Sequence, residues 1–197
     1  MNNCIIDTLV VLLKGYQRLK TTPGADPRHI ASLKYILGQT VRAYKVPQSQ
    51  TFISEEAEKR WNDLTNGNID KFDYKQKFTC DRLSKATIFH IFKGSQKKGT
   101  PTLIKNGQQI CFNDMFHVDH IVPVKLILSE LLSLEVINSH DVCNILQKMY
   151  LCRILKEEDR KIGRTSGRTL SYNDNIKKVY MTHGIIVKDP KTGSIVP

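Results

Sequence analysis

Apolar residues recur every three to four positions between Asn3 and Lys20, at Ile6, Leu9, Val10, Leu13, Tyr16 and Leu19. That period predicts an amphipathic helix. Pro23-Gly24 breaks the run. Asp26-Pro27 then supplies a start signal, with Asp as N-cap and Pro at the first helical position. The second predicted helix runs to about Tyr44, turns Ile30, Leu33, Ile36, Leu37 and Val41 inward, and is stopped by Pro47. Ser54, followed by Glu55 and Glu56, caps a third helix that passes through Trp61 and Leu64. The pattern is mixed from Asp70 to Lys93, with a helix predicted over Asp81–Phe92. Here Tyr74, Phe78, Phe89 and Phe92 interleave with Lys71, Lys75, Lys77, Arg82, Lys85 and Lys93. Two readings stay open: a core with solvated lysine stems, or an aromatic and basic face for nucleic acid.

The pattern changes after residue 94. Gly94–Gly99 (GSQKKG) is a basic, glycine-bounded loop and marks a boundary between residues 1–98 and 99–197. Asn106-Gly107 sits between two β-prone runs, Thr102–Lys105 and Gln108–Phe112, which predicts a hairpin because both turn residues tolerate positive φ. A short strand follows over Phe116–Pro123, an apolar helix over Lys125–Ile137, a second strand over Met149–Leu155 and a short charged helix over Lys156–Gly163. Gly163–Arg168 is a basic loop, Val179–Val187 reads as a strand and Asp189–Gly193 as a turn. The fold class is therefore α+β: a mostly helical N-terminal region, then a strand–strand–helix (ββα) core with a short C-terminal β element.

Composition narrows the function classes. The 197 residues are 40% hydrophobic and 25% charged, close to the globular average. No apolar run approaches the roughly 20 residues that span a bilayer, and the N-terminal residues lack a signal-peptide pattern, so no membrane partner is expected. Five widely spaced Cys without a C-x-x-C pair point to a reducing, cytoplasmic compartment and to no structural zinc. The net charge of +11 suggests a polyanion partner, with nucleic acid first. That excess is uneven. Residues 1–50, 51–100, 101–150 and 151–197 carry +5, +3, −2 and +5.

The one net-negative quarter holds His117-Val118-Asp119-His120-Ile121-Val122-Pro123. Asn144 follows 24 residues after His120, and Asp159, on the short charged helix, 15 after that. In a ββα unit the end of the first strand faces the helix, so Asp119 and Asp159 can meet around one ion with His120 beside whatever that ion binds. This suits phosphodiester hydrolysis. Water needs a base near neutral pH, and His has the matching unperturbed pKa. The departing oxygen needs positive charge, which a divalent ion supplies; two carboxylates suit Mg²⁺. His117 shares a strand face with Asp119 and serves as accessory ligand, phosphate contact or packing residue. Arg160, Lys161, Arg164 and Arg168 flank the site, as nucleic-acid contacts or as an ordinary solvated helix end.

These residues resemble the HNH nuclease motif, also called the ββα-metal finger. Val118-Asp-His-Ile-Val-Pro123 is especially similar to the HNH domain of RNA-guided CRISPR nucleases. The likeness covers Phe116 to Gly163. It implies that Asp119 binds metal, that His120 is the general base and that Asn144, in Val142-Cys-Asn-Ile-Leu, holds the active-site loop in shape. The family's third letter is His or Asn; in Lys156-Glu-Glu-Asp-Arg-Lys-Ile-Gly163 its place falls on Asp159, with Glu158 the neighbouring choice. The resemblance implies an HNH nuclease domain over 99–197, a recognition or partner region over 1–98, and a Mg²⁺- or Mn²⁺-dependent endonuclease that leaves 5′ phosphate and 3′ hydroxyl on DNA. A small restriction enzyme is the leading reading, with a homodimer to cut both strands of a palindrome. A homing or phage-type nicking enzyme, and a catalytically silent DNA-binding module on the same fold, are the alternatives.

Overall fold

In a computed structural model, residues 2–65, 87–91, 101–105, 108–111, 115–162, 178–189 and 192 are described. Their elements in chain order are α1 (Asn2–Thr21), α2 (Pro27–Arg42), a 3-10 turn (Gln48–Gln50), β1 (Thr51–Ser54), α3 (Glu55–Thr65), β2 (Thr87–Ile91), β3 (Pro101–Lys105) and β4 (Gln108–Cys111). They continue with β5 (Phe116–His120), α4 (Val124–Leu132), α5 (Ser139–Leu146), β6 (Leu151–Leu155), α6 (Lys156–Ile162), α7 (Lys178–Thr182) and β7 (Val187–Lys188). The chain is mixed α+β, as the hydrophobic pattern indicates. The expected boundary at residues 98–99, the aromatic and basic stretch from Tyr74 to Arg82, and Arg164 and Arg168 lie outside the described residues.

The chain folds into two compact units, each assembled from separate stretches. The first takes the described residues 2–50 and 120–151. It is helical: α1 packs on α2, α2 on α4, α4 on α5 and α5 back on α1. On α1 the buried residues Ile6, Leu9, Leu13 and Tyr16 form one stripe at helical spacing. On α2 the inward positions are Leu37 and Val41, with Ile30 and Leu33 partly buried against them. Ile36 departs from the expectation and stands 47% exposed, because the inward stripe of α2 centres on Leu33, Leu37 and Val41. Asp26 caps α2 by accepting from the Arg28 backbone N–H at 2.8 Å. Val124, Ile127 and Leu131 of α4 and Val142, Ile145 and Leu146 of α5 complete the core. Each fully buried Leu or Ile there stabilises the unit by about 1.5–3 kcal/mol.

The second unit carries the sheets. One is four-stranded, ordered β5-β6-β1-β7, so the two strands of the expected ββα arrangement are hydrogen-bonded neighbours. α6 follows β6 without a gap. The other sheet is the antiparallel trio β2-β3-β4. Lys105 faces Gln108 across β3 and β4, the register of the predicted Asn-Gly hairpin.

Two expectations are corrected here. Residues 87–91, read as part of a helix over Asp81–Phe92, form a strand paired with β3 from Thr87↔Lys105 to Ile91↔Pro101; Thr-Ile-Phe-His-Ile is rich in β-branched and aromatic residues, and a partner strand decides its state. Residues 179–187, read as one strand, form helix α7, a turn at Gly184 with φ +68°, and only the two-residue strand β7. The glycine closes the helix: Ile185 N–H bonds back to the Tyr180 carbonyl at 2.9 Å and Gly184 N–H to that of Met181 at 2.9 Å.

Candidate metal centre

Strand β5 presents His117 and Asp119 two residues apart and therefore on one face. α6 presents Asp159 in its first turn. Donor atoms of these three residues lie within 4.8 Å of one another, and His117 Nε2 stands 3.9 Å from Asp159 Oδ1. Donors held by one ion at about 2.1 Å stand at most about 4 Å apart, so side-chain rotation closes the set. The donor chemistry fits a divalent cation: two carboxylate oxygens are hard ligands, and the imidazole widens the range toward Mn²⁺ and Zn²⁺. Asp119 is buried at 7% exposure, while His117 and Asp159 remain open to solvent at 41% and 39% of their side chains. One candidate donor is thus buried and two are half-exposed.

Hydrogen bonds from neighbouring elements hold the residues around this group. Tyr180, from α7, is 1% exposed and donates its hydroxyl to Asp119 Oδ2 at 2.5 Å. Glu158, the neighbouring acid on α6, is turned to other partners. It is buried, and its Oε2 accepts from the backbone N–H of Leu155 at 2.7 Å and from the Ser54 hydroxyl at 2.6 Å. The first of these bonds is half of a capping box, with Glu at the third helical position reaching back to the cap. Ser54 Oγ in turn accepts from Ala57 N–H at 3.1 Å and so caps α3. One serine therefore joins two helix starts, and Asp159, next to Glu158, is left as the acid facing Asp119. Phe116 stands edge-on to Trp61 of α3, ring centroids 5.7 Å apart, and steadies the start of β5.

The other sequence-predicted residues are dispersed. His120 ends β5 and is half-buried; being adjacent to Asp119, it belongs to the opposite strand face. Asn144, expected to hold the active-site loop in shape, lies on the exposed side of helix α5 in the first unit. Arg160 and Lys161 are exposed in the last turn of α6. Sequence reasoning missed Tyr180 and Ser54 as partners of the site. His183-Gly184 was a readable helix stop, but nothing in the sequence joins Tyr180 to Asp119, 61 positions away.

Comparison with protein-family models, with curated proteins and with solved structures returns no match.

Proposed function

We propose that this chain is a metal-dependent endonuclease that hydrolyses DNA phosphodiester bonds, of the HNH kind and of the sequence-specific restriction type. The observation that carries the reading is the gathering of His117, Asp119 and Asp159, from a strand and a helix some 40 residues apart in the chain, immediately before His120. His120, the last residue of β5 before the chain bends at Ile121 and Val122, is read as turning out of the strand alternation to accept the proton of the attacking water, and the water oxygen forms the new bond to phosphorus. The 3′ oxygen leaves and takes up a proton, giving 5′ phosphate and 3′ hydroxyl. A divalent ion, when bound, supplies the positive charge that such a departing oxygen needs. Asp119 and Asp159 hold that ion, with His117 as third donor. Arg160 and Lys161, exposed one and two residues beyond Asp159, are taken in this reading as contacts to backbone phosphates. The net charge of +11 draws the polyanion in.

The test is plasmid cleavage by the purified chain with Mg²⁺ or Mn²⁺, beside His120→Ala. The variant is expected to be slower by at least about 100-fold, the usual worth of a positioned general base. Equal rates would remove His120 from the mechanism. Matched DNA and RNA duplexes in the same assay identify the substrate, and discrete bands from a long DNA, in place of a smear, identify a sequence-specific enzyme.

A further inference from the structure

The C-terminal segment contains a residue whose geometry serves the metal centre and whose sequence context gives no hint of it. Tyr180 lies in a helix of five residues, α7, far too short to hold itself. It is nonetheless fixed from several directions. Its carbonyl accepts the N–H groups of His183 at 3.0 Å and Ile185 at 2.9 Å, which closes α7 over the left-handed Gly184. Beyond that turn, β7 pairs with β1 through Ser54↔Val187 and Ile53↔Lys188. Glu55 N–H bonds to the Ile186 carbonyl at 2.9 Å, and Lys188 Nζ reaches Glu55 Oε1 at 2.8 Å. The backbone bearing Tyr180 is thus pinned to the sheet that bears Asp119. The ring is buried to 1% exposure, so the hydroxyl has little freedom, and it points at Asp119 Oδ2.

We infer that Tyr180 is a positioning residue for the metal centre. Its hydroxyl sets the plane of the Asp119 carboxylate, so that Asp119 meets the ion together with His117 and Asp159 already oriented. The inference rests on reading those three residues as a metal site, and it adds the 178–188 segment to the machinery that tunes it. Outer partners of metal-binding carboxylates fix orientation and basicity, and their loss typically lowers affinity by about 10–100-fold. By linkage, ion binding also stabilises the C-terminal segment, because the state that binds is the one with Tyr180 in place.

The experiment is a Mn²⁺ titration of the full chain, followed by the electron paramagnetic resonance of free Mn²⁺, for wild type, Tyr180→Phe and Ile185→Val. Ile185 is buried in the same segment, at 2% exposure, and its truncation perturbs packing while keeping both partners of the Tyr180–Asp119 hydrogen bond. Tyr180→Phe is expected to bind Mn²⁺ about 10-fold more weakly, the low end of the outer-partner range, and to shift the visible absorption of bound Co²⁺. Ile185→Val is expected to bind as wild type does. Equal affinity for wild type and Tyr180→Phe overturns the inference and leaves the metal site standing; equal weakening in Ile185→Val overturns it as a mere effect of packing. A wild type that takes up no Mn²⁺ fells the metal site itself. A second measurement needs no variant: Mn²⁺ added to wild type is expected to give a tyrosine ultraviolet difference band, as charge is drawn from the carboxylate that accepts the hydroxyl. A flat difference spectrum on saturation also overturns the inference, even where Tyr180→Phe fails to fold.

Discussion

On the proposed reading, His117 is the residue that would set which ion the centre prefers. A pair of carboxylates with retained water is an ordinary Mg²⁺ site, and an imidazole adds little for that ion while it favours Mn²⁺ and its later neighbours. His117→Ala is therefore expected to weaken Mn²⁺ binding by at least about 10-fold, the loss typical even of an outer partner, and to leave Mg²⁺ binding almost unchanged. Calorimetry with both ions checks this; an equal effect on the two, or none on either, would take His117 out of the donor set. The pairing of His117 with Asp119 was readable in the sequence, because the strand period of two puts them on one face. The choice between Glu158 and Asp159 was not. Both acids stand in the first turn of a seven-residue helix, and what turns Glu158 inward is the hydroxyl of Ser54, 104 positions away.

Helix α6 owes its orientation to that buried contact, and the two neighbouring acids should separate cleanly in experiment. Glu158→Ala leaves the Ser54 hydroxyl and the Leu155 N–H without their carboxylate, at a cost of about 1–3 kcal/mol. Asp159→Ala, on a half-exposed side chain, is expected to change stability by no more than about 0.5 kcal/mol while abolishing tight Mn²⁺ binding. Denaturant melts and metal titrations of both variants check the pair, and the reverse pattern would exchange the roles given to the two residues. Elements stated by their own sequence were legible. α1 and α2 have a stripe or a cap, and the antiparallel pair β3–β4 has an Asn-Gly dipeptide between its strands in the sequence. Elements decided by distant partners were not. β2 is a strand because β3 pairs with it. β1, four residues long and buried throughout, shows no alternation to read. α7 carries a Val-Tyr pair that favours strands on propensity, and Gly184 with the buried place of Tyr180 overrides it.

The chain as a whole joins a helical unit to a sheet unit, and the stretch from Ile121 to Tyr150 between the candidate site's two strands belongs to the helical one. The candidate metal ligands all belong to the sheet unit. His117 and Asp119 lie in the one net-negative quarter of a chain that carries +11, and Asp159 in the next quarter, of +5, with Arg160 and Lys161. Among the described residues no helix is long and apolar enough to cross a membrane. The proposed nuclease function accords with an acidic centre within a basic chain, where the surface would hold the phosphate backbone and the acids the ion. The most direct measurement is the Mn²⁺ dependence of plasmid cleavage by the wild-type chain and by Asp159→Ala. The expected result is cleavage by wild type that requires Mn²⁺ and stops with chelator, and for the variant a need for at least about 10-fold more Mn²⁺ to reach a given rate. Wild-type protein that leaves plasmid intact at every Mn²⁺ concentration, or a variant with the same Mn²⁺ dependence as wild type, would contradict the assignment.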